Sequence, residues 1–517
     1  MFLSWPLMLE SDIGTVYLVG AGPGDAGLLT MRGAELIGRA EVLVYDALVN
    51  PEMLRLAPDT TEVIYGGKRS KDHAIPQGDL NQLLVDKAKE GKTVVRLKGG
   101  DPYLFGRGGE EAQELSQAGV PFEVVPGISS FCAAPNYAGI PVTHRDHCSS
   151  FTVLTGHEDP TKDESSIDWK NLAENPGTKV VLMGVERIKR IADQLTANGL
   201  SADTPVCMVR WGTRGKQESI DGTLATIASI VEAKQFKSPA VTVIGGVVGL
   251  REELNWFEKR PLLGKRIVIT RTRKQASQLS RQLAELGAEI MEIPTIRTVA
   301  PSDPKRIVDA IMGLNSYSWI VFTSPNGVDW FFDYFFKAFD DLRDLGGARI
   351  AAVGPATAAK LKAMHLKIDV MPDKYVTSEV AQAINAFESV EHLNILLARA
   401  EVANPDLPKE LEELRAIVDD IPCYQTVPET DDANGAAARM TDEGADWITF
   451  TSSSTVENFH TRFDLPDLVE TYPEIKLASI GPETSRAIRA LDLEPTIEAQ
   501  EHTIKGLIEA LSEANAD

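Results

Sequence analysis

Cysteine is scarce in this chain: four in 517 residues, Cys132, Cys148, Cys207 and Cys423, with no C-x-x-C spacing. That scarcity argues against a disulfide framework and a cysteine-bound metal, and makes a reducing compartment the default. Each cysteine reads as a small buried hydrophobe. Histidine is nearly as rare, with eight residues. No set of His, Asp and Cys has metal-ligand spacing, so no metal is expected. His144 and His157 stand alone and read as structural. Long apolar runs are missing too. The best, Pro239 to Leu250, falls far short of the ~20 residues that span a bilayer. The apolar start, Met1 to Leu9, has no basic n-region and meets Glu10 and Asp12 at once, a poor signal peptide. A cytoplasmic protein is expected. Positive charge is in deficit, 52 Lys and Arg against 75 Asp and Glu, for a net charge of −23. Nucleic acid and anionic membranes need an electropositive face, so neither is an expected partner. A small acidic ligand stays open, because a local Arg and Lys cluster can serve one inside an acidic protein.

What is present is a long soluble chain, 43% apolar and 25% charged, of a length that predicts two to four domains. Short apolar runs at Thr15–Gly20, Val42–Tyr45, Val63–Tyr65, Thr93–Leu97, Phe122–Val125, Phe151–Leu154, Lys179–Met183, Thr204–Val209 and Ala240–Ile244 alternate with helical stretches. That alternation predicts α/β architecture. The charged segment Arg251 to Lys265, with Pro261 and Gly264, reads as a linker, and Ile267-Val268-Ile269-Thr270 opens a new α/β unit.

The second half repeats itself. Arg271 is echoed by Arg399, 128 residues on, each just after a strand; Trp319 to Ser324 is echoed by Trp447 to Ser452, again 128 on. Val353-Gly354-Pro355-Ala356-Thr357 is echoed by Ile480-Gly481-Pro482-Glu483-Thr484, 127 on. Two similar α/β lobes are predicted, with hydroxyls and backbone amides at matching strand ends, where open α/β sheets bind ligands. Two facing lobes would make a cleft.

The most informative stretch is Val95-Arg96-Leu97-Lys98-Gly99-Gly100-Asp101-Pro102-Tyr103-Leu104-Phe105-Gly106-Arg107-Gly108-Gly109-Glu110-Glu111. A strand feeds a turn with paired glycines, which let a ligand reach the backbone where a Cβ would block it, and Asp-Pro then sets the turn. Arg96, Lys98, Arg107 and, more distantly, Arg69 could surround this spot. An earlier loop, Gly20-Ala21-Gly22-Pro23-Gly24-Asp25, is not a dinucleotide fingerprint. Its glycines fall at G-x-G-x-G, with a carboxylate where a pyrophosphate would arrive. A loop ending in a carboxylate suits a ligand without phosphates, and a cationic one such as S-adenosylmethionine fits.

With Ala40 to Val49, Gly66-Gly67-Lys68-Arg69, Val125 to Ser130, Ala138 to Arg145, Leu154 to His157 and Leu182-Met183-Gly184, residues 13–250 closely resemble the uroporphyrinogen-III C-methyltransferases. The resemblance implies transfer of two methyl groups from S-adenosyl-L-methionine to carbons 2 and 7 of uroporphyrinogen III, giving precorrin-2. It also implies two α/β lobes (13–126 and 127–258) with the cofactor between them, as a homodimer. On matching positions the cofactor would meet Pro23, Gly99, Gly100, Asp101, Leu104, Ser129, Ser130, Met183 and Gly212. Asp46 and Lys68 fall on the positions of proton acceptor and proton donor. A ring carbon that takes a methyl must lose a proton to recover conjugation, and a strand-end carboxylate can accept it, although Asp there also commonly caps a helix. Arg69 beside Lys68 would lower its pKa. A substrate with eight carboxylates calls for arginines, and Arg69, Arg96, Arg107 and Arg145 are the candidates.

Residues 265–517, after a linker at 259–264, resemble uroporphyrinogen-III synthase through Thr270-Arg271, Phe322 to Val328, Val353 to Thr357, Tyr375 to Glu379, Tyr424-Gln425-Thr426, Phe450-Thr451-Ser452 and Ile480-Gly481-Pro482. The implied lobes are 265–298 with 430–517, and 299–429. The implied reaction closes linear hydroxymethylbilane with inversion of the last pyrrole and loss of water. The protein's task there is to hold the spiro-forming geometry. Arg271, Arg399, Thr323, Ser324, Thr451, Ser452 and Thr484 would bind the substrate's acidic side chains, and Tyr424 would assist the departing water. Thr357 reads as a helix cap.

Rival readings are another methyltransferase of this fold acting later on a corrin ring, and a methyltransferase whose C-terminal half only binds tetrapyrroles. A nicotinamide oxidoreductase lacks its G-x-G-x-x-G. Residues 1–12 read as an N-terminal extension.

Overall fold

The computed structural model describes residues 13–67, 75–157, 166–271, 273–372, 377–432 and 435–515, apart from the side chains of 273–277 and 377–378. Among these residues, twenty strands form four five-stranded sheets. The first holds β1 (Val16–Gly20), β2 (Val42–Tyr45), β3 (Glu62–Tyr65), β4 (Val94–Lys98) and β5 (Phe122–Val125) in the order β3-β2-β4-β1-β5. All its pairings are parallel. Helices cover both faces of such a sheet, so its strands read as apolar runs without alternation. Val16, Leu18, Val94, Val95 and Leu97 are fully buried.

The second sheet holds β6 (Phe151–Thr155), β7 (Thr178–Leu182), β8 (Pro205–Arg210), β9 (Glu218–Thr223) and β10 (Ala240–Ile244) in the order β6-β7-β10-β8-β9. Only β6 and β7 pair in parallel; the other pairings are antiparallel. Alternation of helix and strand gives no sign of that reversal. Strand β9, Glu-Ser-Ile-Asp-Gly-Thr, is too polar to read as a strand; it is an edge whose one fully buried side chain is Ile220.

The second half contributes β11 (Arg266–Ile269), β12 (Glu289–Glu292), β13 (Ile296–Val299), β14 (Trp319–Phe322), β15 (Arg349–Ala352), β16 (Asn394–Ala400), β17 (Ile417–Pro428), β18 (Trp447–Phe450), β19 (Lys476–Ser479) and β20 (Ile497–Glu498). The third sheet runs β12-β11-β18-β19-β20 and the fourth β13-β17-β16-β14-β15. The repeat maps one onto the other. Strands β14, β15, β16 and β17 start 128, 127, 128 and 128 residues from β18, β19, β11 and β12. The bridge Ala351–Val370 stands where β19 pairs β20. The chain enters the third sheet at β11 and β12, builds the whole fourth sheet, and returns for β18 to β20.

Strand β13 is the extra element. It pairs antiparallel with the end of β17, Ile296 opposite Pro428 and Val299 opposite Gln425, so it joins the fourth sheet rather than the lobe of residues 265–298. Matching tryptophans Trp319 and Trp447 are buried in their sheets. The helix Pro325–Ala338 buries Phe331, Phe332 and Phe335 against Phe322, each worth roughly 2–3 kcal/mol of burial. Arg251 to Lys265 is no loose linker. A helical turn spans Arg251–Leu254, Phe257 is buried, and Leu262 lies in the core of the third sheet. No helix among the described residues is long and apolar enough to cross a membrane.

Candidate active site

Strands β1 and β4 lie side by side, and their C-terminal ends carry the two glycine turns. Gly22 N–H donates to Gly100 O (3.1 Å) and Gly100 N–H to Gly22 O (2.7 Å), so the turns form an antiparallel bridge. Both glycines need positive φ, +74° and +70°, which costs glycine nothing. A Cβ on Gly100 would find its nearest neighbour, Ser129 Cα, 3.9 Å away. The chain leaves that side of the turn open, a cradle that fits a ligand lying on the backbone. A third loop closes in behind, where a Cβ on Gly127 would sit 2.2 Å from Gly100 O. It delivers Ser129, which is buried, and Ser130 at the start of the helix Ser130–Tyr137.

Asp101 works as a loop fastener. Its Oδ1 accepts Tyr103 N–H (2.8 Å) and its Oδ2 accepts Gly127 N–H (3.0 Å). Asp25 is occupied in the same way, by Gly27 N–H and the Tyr137 hydroxyl. Both carboxylates fasten the loops around them. Asp46 follows β2; its Oδ1 accepts Leu48 N–H (3.0 Å) and its Oδ2 accepts Gly99 N–H (3.1 Å). It forms an Asx turn against the glycine pair and caps no helix. Gly212 packs on Ala134 of the Ser130–Tyr137 helix, where its Cβ would come within 2.5 Å of the Ala134 Cβ. Thr213 Oγ1 accepts Asp25 N–H (3.0 Å). Pro23, Asp46, Gly99, Gly100, Asp101, Ser129, Ser130 and Gly212 are therefore on loops in mutual contact. Met183 follows β7 with a half-exposed side chain, and Leu104 sits in the turn after Asp101, partly buried. Lys68 and Arg69 lie outside the described residues.

The arginines divide. Arg145 is exposed, as a ligand for acidic groups should be. Arg107 is exposed and paired with Glu110 of its own helix (2.6 Å). Arg96 is only 4% exposed. Its guanidinium lies 3.4 Å from Glu111 and 4.0 Å from Asp46, and donates to Leu97 O. It orients Asp46 from inside the lobe and is not free to meet a substrate carboxylate.

Two features escaped sequence reasoning. Leu48, Phe105 and Ile128 are large, apolar and exposed on these loops, beside Met183; an apolar rim on polar loops marks a binding surface. Phe105, Arg107, Met183, Trp211 and Thr213 have positive φ without being glycine. Such strain gathers at functional sites. Bulky residues between glycines in the run Tyr103 to Gly109 were the available signal.

In the second half, Ser324 and Ser452 sit at matching strand ends and N-cap their helices, accepting Gly327 N–H and Thr455 N–H. Ser324 Oγ also lies 3.0 Å from the Tyr424 hydroxyl, so the structure joins these two candidates. Burial pushes the Tyr424 phenol up, partly offset by hydrogen bonds with Ser324 and Asn326. The phenol therefore keeps its proton at neutral pH. Thr323 and Thr451 are partly buried next to these caps. Desolvation lowers the Arg271 pKa, and among the described residues no carboxylate pairs with it. An anionic ligand would relieve that cost. Arg399, its repeat partner, is 6% exposed and held by both oxygens of Asp420 at 2.6 and 2.5 Å. Thr484 is 2% exposed and third in its helix. Neither is open to a substrate. Thr357 is likewise third in its helix and buried, and the N-cap is Gly354. Among the described residues no group of three or more His, Cys, Asp and Glu could hold a metal.

A parallel-sheet lobe with a glycine cradle and a mixed-sheet lobe precede a doubled α/β unit, and comparison with known proteins places both parts among the tetrapyrrole enzymes. Family models match accordingly: Tetrapyrrole (Corrin/Porphyrin) Methylases over residues 15–228 and Uroporphyrinogen-III synthase HemD over residues 277–509. The Porphyrin biosynthesis protein HemD of Ruminiclostridium josui is 38% identical over 501 residues, 97% of this chain and 98% of its own length. The chain belongs to this family: it is a tetrapyrrole methylase joined to a uroporphyrinogen-III synthase in one polypeptide. The Uroporphyrinogen-III C-methyltransferase of Bacillus subtilis is 40% identical over 74% of this chain and 77% of its own. The S-adenosyl-L-methionine-dependent uroporphyrinogen III methyltransferase of Methanosarcina barkeri is 53% identical, over 48% of this chain and 96% of its own.

Proposed function

We propose that the second half cyclises hydroxymethylbilane to uroporphyrinogen III with loss of water, and that the first half methylates this product at carbons 2 and 7 to precorrin-2, both in the cytoplasm. We take residues 13–258 as the methyltransferase and 265–517 as the synthase. The observation that carries the reading is the Gly22–Gly100 bridge, which brings Asp46, the glycine pair, Ser129-Ser130 and Gly212 to one cleft.

S-adenosylmethionine, when bound, supplies a methyl group activated by a positively charged sulfur. Gly99, Gly100, Pro23, Ser129, Ser130, Met183 and Gly212 would hold it, and the apolar rim would exclude water. Asp46, oriented by two backbone N–H groups and backed by Arg96, accepts the proton that the methylated ring carbon sheds. Arg145 binds substrate carboxylates, and the family resemblance assigns Arg69 to the same task and Lys68 to proton donation. In the synthase half, Arg271 and the strand-end hydroxyls Thr323, Ser324, Thr451 and Ser452 hold the linear tetrapyrrole in its closing geometry. Tyr424 donates a hydrogen bond to the departing water. The family resemblance also implies a homodimer through the methyltransferase half, which sedimentation reads directly.

Anaerobic incubation of the chain with hydroxymethylbilane and S-adenosylmethionine should give a dimethylated type-III product by mass and absorbance. An unmethylated type-I ring would mean spontaneous closure and would remove the synthase assignment. Asp46→Asn should slow methylation about a hundredfold with S-adenosylmethionine binding retained. A full rate in that variant would strip Asp46 of its role.

A further inference from the structure

The two halves meet at a seam of desolvated charge that lies behind the methyltransferase cleft. Glu292, at the end of β12 in the synthase half, has a carboxylate only 2% exposed. One of its oxygens takes the Ser280 hydroxyl and also lies 2.6 Å from Arg55 Nη1 of the methyltransferase half. Glu289, on the same strand, meets Lys216 at 3.5 Å and Arg439 at 3.0 Å. Backbones touch as well. A Cβ on Gly215 would sit 2.3 Å from the Ala288 carbonyl carbon and from Glu289 N, and Gly264 N–H donates to Gly215 O at 2.7 Å. A buried carboxylate needs its cation, since removing one partner leaves a charge that burial penalises. An exposed pair would carry no such weight.

What makes the seam informative is where its methyltransferase side leads. Arg55 belongs to the helical turn Pro51–Leu56, directly after the Asp46–Asn50 loop. Asn50 Nδ2 donates to Gly24 O (2.8 Å), and its Oδ1 accepts Glu52 N–H. Lys216 and Gly215 belong to the loop that carries Gly212 and Thr213. Between them, Arg214 lies across Gly24, so that a Cβ there would come within 2.9 Å of its side chain, and Arg214 Nη2 reaches Leu48 O at 3.4 Å. The turn at Gly20–Asp25, the Asp46 loop and the Gly212 loop are thus tied to one another, and two of them are tied to β12.

We propose that the synthase half forms the back wall of the methyltransferase cleft. Glu292 and Glu289 act as positioning residues, holding through Arg55 and Lys216 the loops that bind S-adenosylmethionine, so that affinity for this cofactor depends on the docked synthase half. This rests on the cleft assignment made above. Desolvation lowers the pKa of both Arg214 and Lys216, with Glu289 opposing it. Glu289 of the other half thus offsets part of the desolvation of both cations.

The test uses the full chain, with methylation assayed on supplied uroporphyrinogen III so that cyclisation plays no part. Arg55→Ala and Glu292→Gln should each raise KM for S-adenosylmethionine about fivefold or more, within the usual range of coupling energies, with kcat changed by less than about twofold. Arg55→Ala should leave cyclisation of hydroxymethylbilane untouched. The exchanged pair Arg55→Glu with Glu292→Arg should bring KM back to within about twofold of the wild type, as a double-mutant cycle requires. Single variants that keep the wild-type melting temperature and the wild-type KM would overturn the proposal alone. A wild-type chain that does not methylate supplied uroporphyrinogen III would sink the cleft assignment, and the proposal with it.

Discussion

Glu111 is fully buried and draws two cations to one oxygen: Lys98 Nζ at 2.8 Å and Arg96 Nε at 3.4 Å, with Gln77 donating at 3.2 Å. Arg96 in turn reaches toward Asp46. The carboxylate therefore supports the proposed proton acceptor from below. Desolvation lowers the Lys98 pKa, and Arg96 lowers it further, while Glu111 works against both. Glu111→Ala should cost about 3–5 kcal/mol, because it strands two buried cations. The sign of the pH dependence follows. A lysine whose folded pKa lies below its unfolded one imposes its full penalty below the folded value. That penalty fades as pH rises toward the unfolded value of 10.5. The deficit of Glu111→Ala in urea unfolding should thus be larger at neutral than at alkaline pH. A deficit that grows on the alkaline side would remove Lys98 from the account.

Among the elements, the lobes of the synthase half are joined by two chain crossings, the stretch before β13 and the stretch after β17. One side chain holds both. Arg462 donates to Pro294 O and Glu429 O through Nη1, and to Thr430 O and Asp431 O through Nη2. It comes from the helix Ser453–Phe463 of the third sheet's lobe, so it sets the angle at which the other lobe leaves. Arg462→Gln should lose roughly 1.5–3 kcal/mol, the range for hydrogen bonds to a charged group. It should also change kcat for cyclisation while methylation of supplied uroporphyrinogen III holds steady. Faster amide exchange at Glu429 and Thr430 would report the loosened crossing; unchanged exchange and unchanged cyclisation would contradict it. The strands of this half were legible because Trp319 to Ser324 and Trp447 to Ser452 repeat a pattern that folding preserves. The assignment of β13 to the fourth sheet was not, because its pairing depends on β17, more than a hundred residues later. Strand β9 was missed for a related reason: an edge strand buries few side chains, so its sequence carries little apolar signal.

For the whole molecule, the acidic balance of −23 conceals where the cations are used. Glycine turns and strand ends were legible because a chemical need is written there in adjacent residues. The burial of Arg96 and Arg399 was hidden, since their partners Glu111 and Asp420 are remote in sequence and arrive only with the fold. The same limit applies at the end of the first half, where Glu258 gathers four donors, two of them, Gln217 and Ser219, from well back in the chain. Its Oε1 accepts Gln217 Nε2 (2.8 Å) and Ser219 Oγ (2.6 Å), and its Oε2 accepts Arg251 Nη2 (2.5 Å) and Asn255 Nδ2 (3.3 Å). Burial alone would raise this carboxyl, but the hydrogen bonds from Arg251, Ser219 and Gln217 outweigh it and hold the pKa below its ordinary 4.5. A carboxylate depressed on folding contributes stability that is fully present above its unfolded value and is lost as pH falls through the folded one. Glu258→Gln should therefore be less stable than the wild type by roughly 2–3 kcal/mol at neutral pH. The gap should close progressively in acid, as the wild-type carboxylate takes up its proton and loses the advantage that glutamine never had. Urea midpoints measured for both chains from neutral pH down through the carboxylate range decide it. A gap that stays constant across that range would show that Glu258 acts through shape and packing, and that its charge does not secure the segment that leads out of the first half.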